Sequence, residues 1–498
     1  MNFKEYDQNQ QFLLPPALQD FIPAGHLARI INEVVEGLDL SELYNRYSDM
    51  GCTAYHPQMM LKLLFYGYAT GERSSRLLAS RTGGDVAYMY LAGMQRPDFR
   101  TINRFRKDNI GVLKGLFVQI VRLCGAMGMI SIGKIAIDGT KLKANASYSK
   151  TIKGKELADE ISAIEREIAG ILRESEEADA QEDHEQGEDG SIYEVPKELG
   201  DKQKLKEKLE EAKKKLAASG HKDINLTDND CRTMIRRGFR PMPSYNGQAA
   251  VEEKSGVIVA AEMSDNPADY WGLKAMVEQT EENTGRKPER VLADSGYDSY
   301  DNLAYLKEAG ITGYITNQTK QGIESGKLAN AEFDRSRFVY DAGKDAYRCP
   351  MGETLRYWKQ HQYLGIAGGR IYICESCQSC SSKSKCTRSK HRTLCINPRE
   401  HLVLEMKARL EGAAGREIYS RRKTMIEPIF GDMKHHRNMR ELKLRGRAKA
   451  AGEFLIMCIT HNIRKIAKRV KEMHGGLSYQ QGMLADSFYH GVPGCQAV

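Results

Sequence analysis

KIAIDGTKLKANAS, residues 134–147, is the stretch on which the reading of this chain turns. Ile135, Ala136 and Ile137 are the apolar and β-branched residues that favour a buried strand. Asp138 ends that run, and Lys141 and Lys143 follow it. RVLADSG, residues 290–296, repeats the pattern with Asp294 and then glycine, so both acids are predicted at strand ends. Between them, SYNGQAAVEEKSGVIVAAEMS (244–264) reads as a hairpin around Lys254–Ser255–Gly256. A helix is predicted over 271–285, another over 300–310, and a strand over 311–317. Strands alternating with helices indicate an α/β core.

Outward from that core the character changes. In residues 1–130, HPQMMLKLLFYGYATG (56–71) carries a helical apolar stripe with Gly71 placed as its C-terminal cap. Two short helices are predicted around SSRLLASRTGG and VAYMYLAG, and then Pro97 and Asp98 open a basic helix. On it Phe99, Ile102 and Phe105 are predicted to face inward, with Arg100, Arg104 and Lys107 on the other face. A basic helix after two short ones is compatible with a helix-turn-helix DNA reader, and equally with a plain helical bundle. Leu157, Ile161, Ile164, Ile168 and Ile171 form one apolar seam, and Leu205, Leu209, Ala212 and Leu216 another, predicting an antiparallel helical hairpin. The parts are therefore a helical domain (1–130), a core in three pieces (131–150, 226–320, 401–470), a helical-hairpin insertion (151–225), a Cys-rich insertion (321–400) and a tail (471–498).

The net charge of +8 is unevenly spread. Residues 416–449 hold eleven Lys/Arg against four Asp/Glu, whereas residues 174–190 hold nine Asp/Glu and no Lys or Arg. A basic surface for a polyanion beside an acidic linker fits this asymmetry. The longest apolar run, FLIMCIT (454–460), falls far short of the roughly 20 residues of a membrane span. MNFKEYDQNQ lacks an export signal pattern, and eleven cysteines in 498 residues are too sparse for a disulfide scaffold. A cytoplasmic protein is expected.

Five cysteines cluster: Cys349 in YRCPMGETL, and Cys374, Cys377, Cys380 and Cys386 in CESCQSCSSKSKC. Two-residue gaps let consecutive thiolates turn onto one ion, which favours a tetrahedral structural Zn²⁺, with five candidates for four positions.

Glu427, in the basic stretch REIYSRRKTMIEPIFGDMK (416–434), joins Asp138 and Asp294 as a third acid that can converge with them. Gathered carboxylates repel unless cations neutralise them, and hard divalent ions such as Mg²⁺ or Mn²⁺ take such oxygen ligands. Two ions about 3.5–4 Å apart would serve phosphodiester chemistry, with Lys141, Lys143, Arg422, Lys423 and Lys434 on the nucleic-acid backbone. Without the metal reading, Asp138 and Asp294 cap turns and Glu427 pairs with Lys423.

In this order, PDFRTINRFRK, AIDGTKLKANAS, SYNGQAAV, LADSGY and YSRRKTMIEPIFGDMK resemble the DDE transposases of bacterial insertion sequences. The resemblance covers most of the chain. It implies a ribonuclease-H-like mixed sheet flanked by helices, interrupted by the two insertions and preceded by an all-α domain. It implies metal binding by Asp138, Asp294 and Glu427, and it carries a Tyr-Arg-Glu-Lys signature onto Tyr419, Arg422, Glu427 and Lys434. Four residues separate Arg422 from Glu427 where the family has three; Lys423 has the family spacing. Pro428 is predicted to kink or restart the helix. For the cysteines the resemblance suggests Cys349, Cys377, Cys380 and Cys386, with Cys374 as the alternative. The activity implied is metal-dependent cleavage and strand transfer at the terminal repeats of the element, on double-stranded DNA, by a homodimer when DNA-bound. The alternatives are a nuclease of the same fold without strand transfer, and an inactive DNA-binding relative.

Overall fold

The computed structural model describes residues 17–48, 53–186, 197–235, 240–316, 331–333, 335–363 and 366–473. The expected tail therefore lies outside the described residues from 474 on, as does 187–196 of the hairpin insertion.

Among the described residues the first seven α-helices are α1 (Leu27–Glu36), α2 (Ser41–Tyr44), α3 (Pro57–Thr70), α4 (Ser75–Arg81), α5 (Val86–Leu91), α6 (Phe99–Asp108) and α7 (Leu113–Ala126). Pro57 starts α3, where its missing N–H costs nothing, and Gly71 ends it at φ 88°. Asp98 caps α6 by accepting from the backbone N–H groups of Arg100 and Thr101. Ile102 and Phe105 turn inward as expected, but Phe99 is 37% exposed. The Arg76 guanidinium lies 5.1 Å and that of Arg100 5.7 Å from its ring centroid, so cations rather than core atoms cover it.

The main sheet is mixed. Its strands are β1 (Lys134–Lys143), β4 (Arg232–Met234), β5 (Met242–Glu252), β6 (Ile258–Ser264), β7 (Arg290–Ala293) and β8 (Thr312–Ile315), while β2 (Thr151–Lys153) and β3 (Asp223–Asn225) pair apart. The order is β4-β5-β1-β7-β8, with β6 also on β5. β5 runs antiparallel to β1, and β7 and β8 run parallel to it and to each other. Ile135, Ala136 and Ile137 are fully buried, as a central strand covered on both faces requires. The hairpin between β5 and β6 turns at Gly256, at φ 71°.

The hairpin insertion is α8 (Gly154–Gln186) and α9 (Lys197–Ser219), so the acidic stretch continues as helix as far as Gln186. Leu157, Ile161 and Ile164 pack with Leu209, Ala212 and Leu216. The seam opens higher up, where Leu205 is 45% exposed, and there Lys202–Glu167 and Lys206–Glu165 pairs join the helices instead. Helices α10 (Gly272–Thr284) and α11 (Tyr300–Glu308) complete the α/β alternation.

A second sheet follows, in the order β13-β12-β11-β10-β9, from β9 (Val339–Asp341), β10 (Ala346–Arg348), β11 (Thr354–Tyr363), β12 (Ile366–Cys374) and β13 (Arg392–Ile396). The short α12 (Lys383–Cys386) lies between β12 and β13, and Phe338, Leu355, Tyr372, Leu394 and Ile396 give this unit its own core.

The chain then returns through α13 (Glu400–Glu411), α14 (Ala413–Gly431) and α15 (Arg447–Met473). Pro428 neither stops nor restarts α14, which runs through it; the irregularity comes next, as a π-helical turn at Asp432–His436. Buried Asn462 on α15 accepts from the Ile258 N–H and donates to its carbonyl, occupying the open edge of β6. His461 meets the Gly256 carbonyl at 2.9 Å and is fully buried, which holds its imidazole neutral. Asp432 binds Arg437 and Arg464, a structural role.

One buried ionic network joins the opening helices to the end of the chain. Arg73 pairs with Glu453 on α15 and donates to the carbonyls of Asn438 and Glu441. Glu453 also accepts from Tyr68 and from the N–H groups of Lys443 and Leu444, and Arg106 of α6 donates to Tyr68. No single helix among the described residues is long and apolar enough to cross a membrane; α6 and the helical stretch after it pass that test only as a pair bent by 51°.

Candidate active site

Asp138 is not at the end of its strand. It is the fifth of the ten residues of β1, because β5 stays paired with β1 as far as Lys143. What ends beside it is the parallel ladder: the last β1–β7 pair is Ile137 with Ala293, so Asp138, within β1, and Asp294, just past β7, stand at the same level on adjacent strands. Register, not strand length, brings the two acids together.

Each carboxylate is held by its own local backbone. The Gly139 N–H donates to Asp138 Oδ1 at 2.8 Å, and the Gly296 N–H donates to Asp294 Oδ1 at 2.8 Å, capping the turn Ser295–Tyr297. Helix α14 crosses the β1 side of the sheet and brings Arg422. Its Nη1 donates to Asp138 Oδ2 at 3.1 Å and its Nη2 to Glu427 Oε1 at 3.4 Å. Arg422 is buried and Glu427 half exposed, so one guanidinium links a strand acid to a helix acid. Glu427 thus meets Arg422 among the described ion pairs, and Lys423 faces solvent.

Burial pushes the Asp138 carboxyl up to about 6; the Asp294 charge adds to this and Arg422 opposes it. Asp294 is raised too, chiefly by burial, against the Gly296 N–H and Arg422. Burial works against the Arg422 charge, yet Asp138, Tyr419 and Asp294 together hold it above its ordinary value. The Tyr419 hydroxyl pairs with Thr316 at 2.9 Å, one turn before Arg422.

The remaining expected contacts are scattered. Lys141 Nζ binds Asp269 at 2.7 Å, and Lys143 binds Glu441 at 3.2 Å, where residues 440–442 continue beside β1. Lys434 lies in the π-helical turn. Arg100, Arg104 and Lys107 are exposed on α6. The acid that sequence reasoning passed over is Asp269, in a loop before α10 whose only signal was a run of turn residues, SDNPAD (264–269). Its carboxylate lies over Gly139: a Cβ there would stand 2.4 Å from Asp269 Oδ1 and 2.5 Å from Gln248 Nε2. Gly139→Ala is therefore expected to cost about 1–3 kcal/mol of stability. Thermal melting would register the loss, and an unchanged melting temperature would contradict this packing.

Asp138, Asp294, Asp269 and Glu427 together face the two cations Arg422 and Lys141, a surplus of negative charge that hard cations would offset. No three of His, Cys, Asp or Glu among the described residues are close enough together to hold an ion. The five cysteines nevertheless line one small cavity of about 20 Å³, with Cys349 following β10, Cys374 ending β12, Cys377 and Cys380 in and after a 3₁₀ turn, and Cys386 ending α12. Burial and then Cys377 push the Cys374 thiol up to about 12, and burial raises Cys386. The Arg392 N–H donates to Cys377 Sγ at 3.3 Å.

A family model described as Transposase DDE domain matches residues 348–467, a stretch that contains Glu427 and the five cysteines but neither Asp138 nor Asp294. A second, described as Transposase domain (DUF772), matches residues 16–108, the helices through α6. No curated protein matches the chain. Among solved structures, a piggyBac transposase synaptic complex with hairpin DNA is similar over 95% of this chain and 81% of its own, at 10% identity and a TM-score of 0.32, too loose a superposition to bear on the site. Both matching models are of transposase domains, one at the opening helices and one across the Glu427 helix.

Proposed function

We propose that the protein cuts and joins DNA as the transposase of an insertion sequence, with Asp138, Asp294 and Glu427 as its catalytic acids. The observation that carries this reading is the register that sets Asp138 beside Asp294, together with the Arg422 guanidinium that ties Asp138 to Glu427. The mixed strand order, with the two acids at one level on parallel neighbours, supports a ribonuclease-H-like core.

The three acids would hold Mg²⁺ or Mn²⁺, which activates the attacking oxygen and stabilises the leaving one when bound. In the first step water forms the new P–O bond, the 3′ oxygen leaves, and it takes a proton. In the second step that 3′ hydroxyl attacks a phosphodiester of the target, and the target's own 3′ oxygen leaves. Tyr419, Lys423 and Lys434, on or just after the helix that carries Glu427, would orient the phosphates. Lys143 would do so from the far end of β1. Arg100, Arg104 and Lys107 form an exposed cationic face on α6 suited to the duplex of the terminal repeats. Two element ends must meet for joining, which calls for a homodimer on DNA, in the cytoplasm.

The test joins the flanking ends of the element to a marker and measures excision and integration with Mg²⁺, for wild type and Asp294→Ala. Loss in the variant alone is expected. Equal activity in both removes Asp294 from the mechanism and breaks the three-acid reading.

The shared cavity supports a structural Zn²⁺ on four of the five thiols. Metal analysis of the purified protein is expected to find one zinc per chain, lost in Cys377→Ser/Cys380→Ser. Zinc-free wild type with a full set of titratable thiols would refute it.

A further inference from the structure

The stretches around Asp138 and Asp294, and the strand β5 between them, hold more than those two acids, and their other residues converge on one side chain. From AIDGTK, Lys141 Nζ donates to Asp269 Oδ1 at 2.7 Å, and Gly139 leaves the space the carboxylate fills. From SYNGQ, Asn246 Nδ2 and Gln248 Nε2 donate to the same oxygen at 2.7 and 2.9 Å. From ADSGY, the Tyr297 hydroxyl donates to Gln248 Oε1. A Cβ on Gly296 would meet Asp294 Oδ1 at 2.9 Å and Asp269 Oδ2 at 3.2 Å, so the two carboxylates flank one glycine. Asn246, Gln248 and Tyr297 are all buried.

We infer that Asp269 is a positioning residue that keeps the Lys141 ammonium away from Asp138 and Asp294, so that those acids stay open to divalent cations. This rests on the metal reading proposed above. Three donors on one oxygen, one of them charged, make a strong and directional hold. The alternative partner for Lys141 is close, because Asp294 flanks the same glycine as the Asp269 carboxylate that holds it. Lysine is a compact charge on a four-carbon stem that reorients readily. Released from Asp269, it would move onto the under-neutralised carboxylates of Asp138 and Asp294 and compete with the ion. A neutral amide in place of Asp269 keeps the shape but loses the charge that opposes this, since burial makes the pairing of an ammonium with a carboxylate decisive.

The experiment measures Mn²⁺ binding by calorimetry in the full-length protein without DNA, with melting curves as the check on folding. Asp269→Asn is expected to weaken binding by about 10–100-fold, the range of second-layer partners of metal ligands. Asp269→Asn/Lys141→Met is expected to return to within about threefold of wild type, because the competing cation is gone. Gln248→Met leaves the ion pair intact and is expected to bind as wild type does. Unchanged affinity in Asp269→Asn, no recovery in the double variant, or a tenfold loss in Gln248→Met would each overturn the inference. The last remains decisive if Asp269→Asn does not fold. The metal reading fails separately, and takes this inference with it, if wild type shows no saturable binding or if Asp294→Ala binds as wild type does.

Discussion

Asp138→Asn is expected to lower strand cleavage on the order of 10²–10³-fold while leaving the chain folded and bound to DNA. The amide keeps the volume of the carboxylate and accepts the Gly139 N–H as before, but it loses the charge and, with Oδ2 replaced by NH2, the bond from Arg422. A cleavage assay on end-containing duplex, paired with a binding assay, separates the two effects. Cleavage within a few-fold of wild type would remove Asp138 from the chemistry.

The same substitution carries a pH signature. The folded chain holds the Asp138 proton to about 6, above the ordinary carboxyl value of 3.8, so folding favours the protonated form. That contribution is complete below the lower value and is lost as pH rises through the upper one, on the order of 3 kcal/mol in all. In chelator, wild type is therefore expected to melt lower at pH 7.5 than at pH 5, and Asp138→Asn to show a flatter profile. Mg²⁺ is expected to raise the melting temperature more at pH 7.5, where no proton competes for the carboxylate. Equal stabilisation at both values would contradict the burial of this group.

The second large effect is on stability. Glu453→Ala leaves Arg73 almost fully buried with its partner carboxylate gone, and breaks bonds to Tyr68 and to two backbone N–H groups. Removing one partner of such a pair costs about 3–5 kcal/mol, a large share of the stability of an ordinary domain. Denaturant unfolding is expected to show that loss, and Glu453→Gln a smaller one. Neutral behaviour of the alanine variant would mean that Arg73 finds water or another anion.

Much of this architecture was legible from residue patterns. The strands around Asp138 and Asp294, the β5–β6 hairpin and the helical hairpin all follow from apolar periodicity, which burial imposes directly on sequence. Caps at Asp98 and Gly71 were equally plain, since a cap is a local event. What escaped was set at long range. The position of Asp138 within β1 depends on where two different partners stop pairing, and no window of sequence contains that. Phe99 had the spacing of a core residue but found two guanidinium groups. Pro428 was read by local rules, while α14, packed through Ile426, Ile429 and Phe430, carries it intact. Asp269 was hidden because its partners come from two distant strands, β1 and β5, and its loop had no periodicity to mark it.

The bond from Arg422 to Asp138 spans 284 positions of chain. At a synthesis rate of roughly 5–20 residues per second, about 15–60 s pass between the translation of one end and that of the other. Closing so long a loop comes late in folding, after the local helices and hairpins have formed. Glu427 arrives on the same helix as Arg422, so a ribosome-bound chain carries the two strand acids and no third. If the three acids act together as proposed, the growing polypeptide cannot cut DNA until Arg422 and Glu427 have been made and that loop has closed.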